Sequence, residues 1–294
     1  MDKVHIPVLL DKSLESLSIK PDRFYIDCTL GDGGHSYKIL SRLSSQGLLL
    51  SIDQDQHAID FVKEYYQIPS NWILAYGNFS KLLQILKENN IDKQPDGILM
   101  DLGLSSRQLE KSHNRGFSYS KESEPLDMRM DTKLGVTALD MLKALSEKEL
   151  AKLFTIYGEE HFAKPIARKI KQNISEINSV GDLTRLIYGA VPATPNHKNP
   201  SRRVFQALRI AVNDELNSLK KGLDSSFKIL STNGRVSVIT FHSLEDRIVK
   251  RFFDKQVKEG KGILLFNKLY LPTKQELEKN PRASSAKLRT LIKI

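Results

Sequence analysis

Cysteine is almost absent: Cys28 is the only one among 294 residues. No intrachain disulfide can form, and such a chain is expected in a reducing compartment, the cytoplasm. No apolar run approaches the roughly 18 residues of a membrane-crossing helix, and Asp2 and Lys3 charge the start, so neither a membrane span nor a signal peptide is expected. The seven histidines and single cysteine never fall at metal-ligand spacing, which predicts no zinc site. Internal repeats and low-complexity tails are also missing. An apolar content of 40% is nevertheless enough for a packed core, in one large domain or two ordinary ones.

Charge of one sign is scarce in the second half. Residues 1–160 hold 19 Lys and Arg against 24 Asp and Glu, a balance of −5; residues 161–294 hold 26 against 11, or +15. Solubility needs no such contrast. It points to a polyanionic partner, and nucleic acid is the commonest.

The stretch Tyr25–Asp53 organises what is present. A short apolar run ends in Asp27, a loop with Gly31, Gly33 and Gly34 follows, then a helix from about His35, then a second apolar run ending in Asp53. This is the pattern of a βαβ nucleotide-binding unit. The glycines allow close backbone approach, the helix start is electropositive, and Asp53 can accept hydrogen bonds from ribose hydroxyls. The third glycine of the dinucleotide fingerprint is missing, and Asp27 precedes the glycines. An acid there suits a ligand with a cationic amino-acid end, such as S-adenosylmethionine, better than a pyrophosphate. The rival readings are a tight turn without ligand and a nicotinamide-dependent oxidoreductase.

Along the chain, an amphipathic helix with Leu10, Leu14 and Leu17 on one face precedes strands at about 24–28, 48–52, 72–76 and 98–100, alternating with helices at 35–45, 56–66 and 81–89, the last capped by Ser80. Asp27, Asp53, Asn78-Phe79 and Asp101 end these strands, and in a parallel sheet such ends line one crevice. From about 107 to 212 no strand is evident. Helical runs at 146–156, 162–174 and 181–189 are interrupted by Pro192, Pro195 and Pro200, which reads as an inserted helical domain. The sheet pattern returns with a helix at about 203–230, a strand Val236–Thr240, a helix 244–257 capped by Ser243, and edge strands Ile263–Phe266 and Leu288–Ile294. The expected fold is α/β, with a catalytic domain of residues 1–106 and 213–294 and a helical domain of 107–212.

Taken together, these segments resemble the bacterial 16S ribosomal RNA cytosine-N4 methyltransferases. The matching segments are His5-x-Pro7-Val8-Leu9-Leu10, Asp27-x-Thr29-x-Gly31-x-Gly33-Gly34-His35-Ser36, Asp101-Leu102-Gly103-x-Ser105-Ser106-x-Gln108-Leu109, Arg115-Gly116-Phe117-Ser118, Pro125 through Asp131, Tyr157-Gly158-Glu159-Glu160, Arg203-x-Phe205-Gln206-Ala207-x-Arg209-Ile210, and Phe241 through Arg247. They span almost the whole chain in order. The resemblance implies a class I, Rossmann-like methyltransferase fold with a helical insertion for substrate recognition, S-adenosylmethionine as cofactor, and 16S rRNA in the small ribosomal subunit as partner. It carries cofactor contacts onto Gly33, Gly34, His35, Asp53, Phe79, Asp101 and Gln108. The chain departs from the usual pattern at Lys12, Cys28, Ser201 and Ser284, where the family usually has glutamate, glycine, alanine and arginine.

Chemistry singles out fewer residues. Asp101 can accept a hydrogen bond from cytosine N4 and take up its proton, or contact the cofactor alone; both readings stand. His242, ending the fifth strand, is the second catalytic candidate, with a structural role before the Ser243 cap as its rival. His35 reads as a helix-start residue and cofactor contact. Phe79 can pack on adenine. Phe117, Tyr119 and Phe241 can stack on an extruded base, or pack in the core. Arg115, Arg203 and Arg247 are candidate phosphate contacts, with solvated charge as the alternative. A non-catalytic rRNA-binding or ribosome-assembly protein that keeps an old cofactor fold is the rival of another class, and a homodimer is left open.

Overall fold

The computed structural model describes residues 7–110, 114–192, 199–265 and 269–294. His5, Pro195 and Phe266, which carry parts of the expectations above, lie outside them. The chain divides into two compact units, Met1–Ser105 with Leu216–Ile294, and Ser106–Glu215.

In chain order the elements are α1 (Leu10–Leu17), β1 (Phe24–Asp27), α2 (Gly34–Leu40), β2 (Leu48–Asp53), α3 (Gln56–Tyr65), β3 (Trp72–Tyr76), α4 (Leu82–Glu88) and β4 (Gly97–Asp101). The helical unit follows with α5 (Ser106–Glu110), α6 (Ala138–Ala144), α7 (Glu147–Gly158), α8 (Ala163–Gln172), α9 (Val180–Tyr188) and α10 (Pro200–Val212). The sheet unit resumes along α11 (Glu215–Ile229), β5 (Arg235–Thr240), α12 (Ser243–Lys258), β6 (Gly262–Leu264), α13 (Lys274–Lys279) and β7 (Lys287–Lys293).

Among the described residues, seven strands form one sheet in the order β3-β2-β1-β4-β5-β7-β6. The first five run parallel, and β7 pairs antiparallel with both β5 and β6. This is the class I methyltransferase fold. Every residue of β1 is buried, as a central parallel strand covered on both faces requires. Alternate residues feed two cores. Ile26, Leu50, Ile52, Ile98 and Met100 pack with Leu82, Leu219, Leu223 and Val249 of α4, α11 and α12. Tyr25, Leu49 and Leu99 pack with Leu14, Ile39, Ile59 and Val62 of α1, α2 and α3. The period of two in the strands thus decides which helices cover which face.

Four expectations need correction. The helix at 203–230 is two helices, because the chain breaks after Val212 and Asp214 takes a left-handed φ of 48°. Leu288–Ile294 is not an edge: β7 runs between β5 and β6, and its Leu288 and Leu291 are fully buried. Ser80 does not cap α4; the Asn78 side chain instead accepts the Ser80 N–H and starts a 3-10 turn, Phe79–Lys81. Ser243 does not cap α12; His242 does, through a capping box with Glu245.

In the helical unit, Ser146 and Ser179 cap α7 and α9 by capping boxes with Glu149 and Asp182. The Pro125–Asp131 segment is held from within that unit. Asp127 binds the Arg129 guanidinium through both oxygens, each at 2.7 Å. The Asn213 side chain accepts the Met130 N–H at 2.7 Å and donates to the Met128 carbonyl at 2.8 Å. These bonds hold Met128 at a left-handed φ of 59°, so this motif has a structural task.

Candidate functional site

The register of the parallel strands brings their C-terminal ends side by side: Asp27 lies opposite Ser51 and Leu99, Asp53 opposite Tyr76, and Asp101 opposite Ile239. The acids sit at different depths. Asp27 is completely buried and faces inward. Its Oδ2 accepts the Ser36 hydroxyl at 2.7 Å; its Oδ1 accepts the Thr29 N–H at 3.1 Å and the Thr29 hydroxyl at 3.3 Å. The Ser36 and Ser51 hydroxyls lie 2.7 Å apart, and Trp72 Nε1 donates to Ser51 Oγ at 2.9 Å. Ser36 gives its single hydroxyl proton to Asp27, so Ser51 donates to Ser36, and the indole, which can only donate, donates to Ser51. Burial raises the Asp27 pKa against these hydrogen bonds. Asp27 therefore ties the glycine loop to three strands instead of facing a ligand's cationic end, because its carboxylate is consumed internally.

Gly31 and Gly33 have left-handed φ of 52° and 80°. A Cβ on Gly33 would also stand 2.9 Å from Val62, and one on Gly34 would stand 2.4 Å from Pro7. The loop is glycine-rich as much for close packing of α2 and α3 as for approach to a ligand.

Asp53, like Asp101, stays partly exposed. Its Oδ2 accepts the Gly31 N–H at 2.8 Å and its Oδ1 the Asp55 N–H at 2.9 Å. Burial pushes its carboxyl up to about 7 despite both bonds. Beside it, Asn78 donates to Gln54 at 2.6 Å, and Phe79 follows directly in the 3-10 turn. A Cβ on Gly222 would lie 2.5 Å from the Phe79 ring, so that glycine is the recess in which Phe79 rests. Sequence reading named Phe79 but not Gly222, since no local signal links residues so far apart in the chain.

Asp101 ends β4 with 23% of its side chain exposed. Its backbone N–H donates to Thr29 Oγ1 at 2.7 Å, and its Oδ2 lies 3.5 Å from Nδ1 of the buried His35. Its Oδ1 is buried and accepts no hydrogen bond among the described residues. Burial, with Asp27 and Glu245 nearby, holds this carboxyl well above the usual carboxylate range. An unsatisfied buried acceptor costs about 1–3 kcal/mol, which a donor from a ligand would recover. Thr29 was missed as a residue of its own, although a threonine two residues after an aspartate is the spacing of a side-chain-stabilised turn.

His242 is engaged at the start of α12. Its Nδ1 accepts the Glu245 N–H at 3.4 Å, its Nε2 lies 3.0 Å from Glu245 Oε1, and Glu245 accepts the Phe241 and His242 N–H groups in return. Both ring nitrogens thus face the helix start. Phe241 is half-buried beside Gly103, whose left-handed φ of 105° turns the chain after Asp101.

The remaining candidates separate. Gln108 is buried in the helical unit, on α5. Arg115 is only 3% exposed. Its guanidinium donates to the Met130 carbonyl at 3.1 Å and lies over the Phe117 ring at 5.0 Å, so it braces the helical unit and is no surface phosphate contact. Phe117 is buried too, which removes it as a stacking platform, while Tyr119 is half-buried and meets Phe205 edge-on. Arg203 is 41% exposed, 3.9 Å from Glu160, and Arg247 is exposed on α12. Of the departures, Cys28 is buried in the core, where burial and then Asp27 raise its thiol pKa. Lys12 pairs with Glu15 at 2.6 Å, and Ser284 is exposed. Ser201 is fully buried, and its hydroxyl has no partner among the described residues.

S-adenosylmethionine fits these residues: Asp53 offers a partly exposed acceptor for hydroxyls and Phe79 a ring at the adjacent strand end, which leaves Asp101 Oδ1 unfilled for a second ligand. No helix among the described residues is long and apolar enough to cross a membrane.

Comparison of the sequence with known protein sequences gives a concordant result over the full length. A family model described as the MraW methylase family matches residues 2–294. A ribosomal RNA small subunit methyltransferase H of Caldicellulosiruptor saccharolyticus is 45% identical over 307 aligned residues, covering 99% of each chain. Its namesake from Clostridium botulinum strain Loch Maree is 44% identical, with all of both chains covered. A solved rRNA methylase from Streptococcus thermophilus aligns over 98% of both chains at 9% identity and a TM-score of 0.45.

Proposed function

The chain belongs to the MraW methylase family, and from that premise we propose that it transfers the methyl group of S-adenosylmethionine to the N4 exocyclic amine of a cytidine in 16S rRNA, acting in the cytoplasm on the small ribosomal subunit. The observation that carries the site assignment is Asp101: a strand-end carboxyl with an unsatisfied oxygen, next to the glycine loop and two strand ends from Asp53.

When bound, the cofactor supplies a methyl group already activated on a sulfonium. The amine is the poor partner, because its lone pair is delocalised into the ring. Alignment is then the larger requirement, worth roughly 7–11 kcal/mol, and a positioned base adds about 3–5 kcal/mol. Asp101 Oδ1 accepts the N4–H, turns the lone pair toward the methyl and takes up the proton as the amine becomes a methylamine. His35 steadies the other Asp101 oxygen. Asp53 holds the ribose hydroxyls, Phe79 the adenine, and Gly33 and Gly34 complete the cofactor contacts. His242 positions the Phe241 segment by starting α12, and the helical unit grips RNA, with Arg203 on phosphate.

The test is tritiated methyl transfer to small subunits from cells lacking the gene, followed by nucleoside analysis. Label in N4-methylcytidine is expected. No label with subunit binding retained would instead favour an assembly protein. In Asp101→Asn, kcat should fall 100- to 10,000-fold while cofactor affinity stays within about threefold. Equal loss of both would make Asp101 a cofactor ligand only.

A further inference from the structure

The positive charge of the C-terminal half is not spread evenly over the sheet unit. Helices α11 and α12 lie on the same sheet face, where Leu219, Leu223, Val249 and Phe253 share one core and Phe227 meets Phe252 edge-on at 6.1 Å. On α12, Arg247, Lys250, Arg251, Lys255 and Lys258 recur at helical spacing and are all exposed. On α11, Lys220, Lys221 and Lys228 are exposed likewise. The acids that could neutralise them are few. Glu245 is buried at the helix start, Asp246 is engaged by Lys287 and Arg289, Glu259 at the end of α12 pairs with Lys261 at 2.7 Å and Lys255 at 3.9 Å, and Asp224 and Asp254 are the other acids of these two helices near this surface. Lys220, Lys221, Lys228, Lys250, Arg251 and Lys258 form no ion pair among the described residues; Lys20, Lys38, Arg42 and Lys63 on the other side form none either, so what distinguishes the α11–α12 face is its excess of cations over acids.

Rigidity distinguishes this surface from a solubilising tail. The cations project from two helices of 15 and 16 residues, anchored in the main core. Opposite them, the exposed face of α1–α3 mixes signs: Lys12, Lys38, Arg42 and Lys63 alternate with Asp11, Glu15, Asp60 and Glu64. Fixed, unpaired, like-signed charges raise each other's electrostatic energy, and a polyanion relieves it by releasing its own counterions.

We propose that the α11–α12 face is a second RNA-contact surface, which grips the phosphate backbone of 16S rRNA outside the crevice that does the chemistry. The proposal rests on the reading of the protein as an rRNA methyltransferase. It adds where on the sheet unit the non-specific part of the affinity resides. The neighbouring charges would track a backbone without reading bases.

The test measures binding of the full-length protein to a 16S rRNA transcript against salt. Each phosphate contact contributes about 0.7 to the slope of log K on log salt for a single strand and about 0.9 for a duplex. A variant with Lys220, Lys221, Lys250 and Arg251 all changed to Gln should flatten the slope by about 1.4 if two contacts lie on a single strand, and by up to about 3.6 if four lie on a duplex. A matched variant, with Lys20, Lys38, Arg42 and Lys63 changed to Gln, loses the same charge from the other side and should keep its slope. Both should bind S-adenosylmethionine like the parent, which reports an intact fold. Should the four-site variant fail to fold, the pairs Lys220/Lys221 and Lys250/Arg251 changed separately carry the same test. An unchanged slope, or equal flattening in the matched variant, would overturn the proposal. So would an unchanged rRNA slope combined with lost binding to whole subunits, which would assign the face to an acidic protein. Methyl transfer by the parent protein is scored separately, so failure of the enzyme reading is distinguishable from failure of this surface.

Discussion

Replacing Thr29 by valine keeps the side-chain shape and removes one oxygen. That oxygen accepts the Asp101 N–H at 2.7 Å and donates to Asp27 at 3.3 Å, so it joins the ends of β1 and β4 and fixes the backbone from which Asp101 projects. Losing the first bond leaves a half-buried N–H without a partner, at about 1–2 kcal/mol. The second bond is long, and Asp27 retains the Ser36 hydroxyl and the Thr29 N–H, so its loss costs at most about 1 kcal/mol. The added methyl group returns about 0.8 kcal/mol if it is buried. A net destabilisation of about 0.2–2.2 kcal/mol, centred near 1, follows, read as a shift of the urea midpoint at unchanged m. Thr29→Ser is the control: it keeps both bonds and loses only a methyl, at about 0.8 kcal/mol or less, since the residue is partly exposed. Hydrogen bonding therefore predicts valine worse than serine, and packing predicts the reverse. Because alignment depends on where Asp101 stands, methyl transfer should follow the same order, with kcat falling in Thr29→Val and little changed in Thr29→Ser. A valine variant as stable and as active as the serine variant would refute the assigned role of this hydroxyl.

Two other outcomes test separate features. In the cofactor-free protein the Asp53 carboxyl titrates near pH 7, raised by burial. The folded state then holds more protons than the unfolded one between about pH 4 and 7, so this group's contribution to stability falls as pH rises through that window. Hydroxyl donors from the cofactor favour the ionised form, so binding should release a proton and tighten from pH 5.5 to 8, by at most tenfold per unit; calorimetry in buffers of different ionisation heat would show this, and Asp53→Asn should lose it. Ser201→Ala removes a fully buried hydroxyl that has no partner among the described residues, at the second position of α10. It should raise stability by about 1 kcal/mol in urea unfolding, and a loss of stability would disprove the unsatisfied-hydroxyl account.

Local patterns set much of this protein before any tertiary contact. The alternation of short apolar runs and amphipathic helices defined the parallel sheet, because burial on both faces demands such runs and right-handed crossovers fill the gaps. Acids at strand ends and glycines in the first loop marked the crevice, since parallel strands bring their C-terminal ends to one side. The charge contrast between the two halves was equally legible. What the sequence could not express is which polar groups are used up internally. Asp27, Asp53 and Asp101 look alike as strand-terminal acids. Only the folded chain makes Asp27 a buried tie to Ser36 and Thr29 and leaves an Asp101 oxygen unfilled. Arg115 and Arg247 both flank sequence motifs, yet one is sealed against carbonyls and the other is exposed. His242 became a helix cap because Glu245 lies three residues on, a relation visible in sequence but decided by where β5 ends. Periodicity and residue type are short-range properties, and they fix elements. The partner of each donor and acceptor is set by contacts between residues such as Phe79 and Gly222, far apart in the chain, and these exist only once the sheet has ordered its strands.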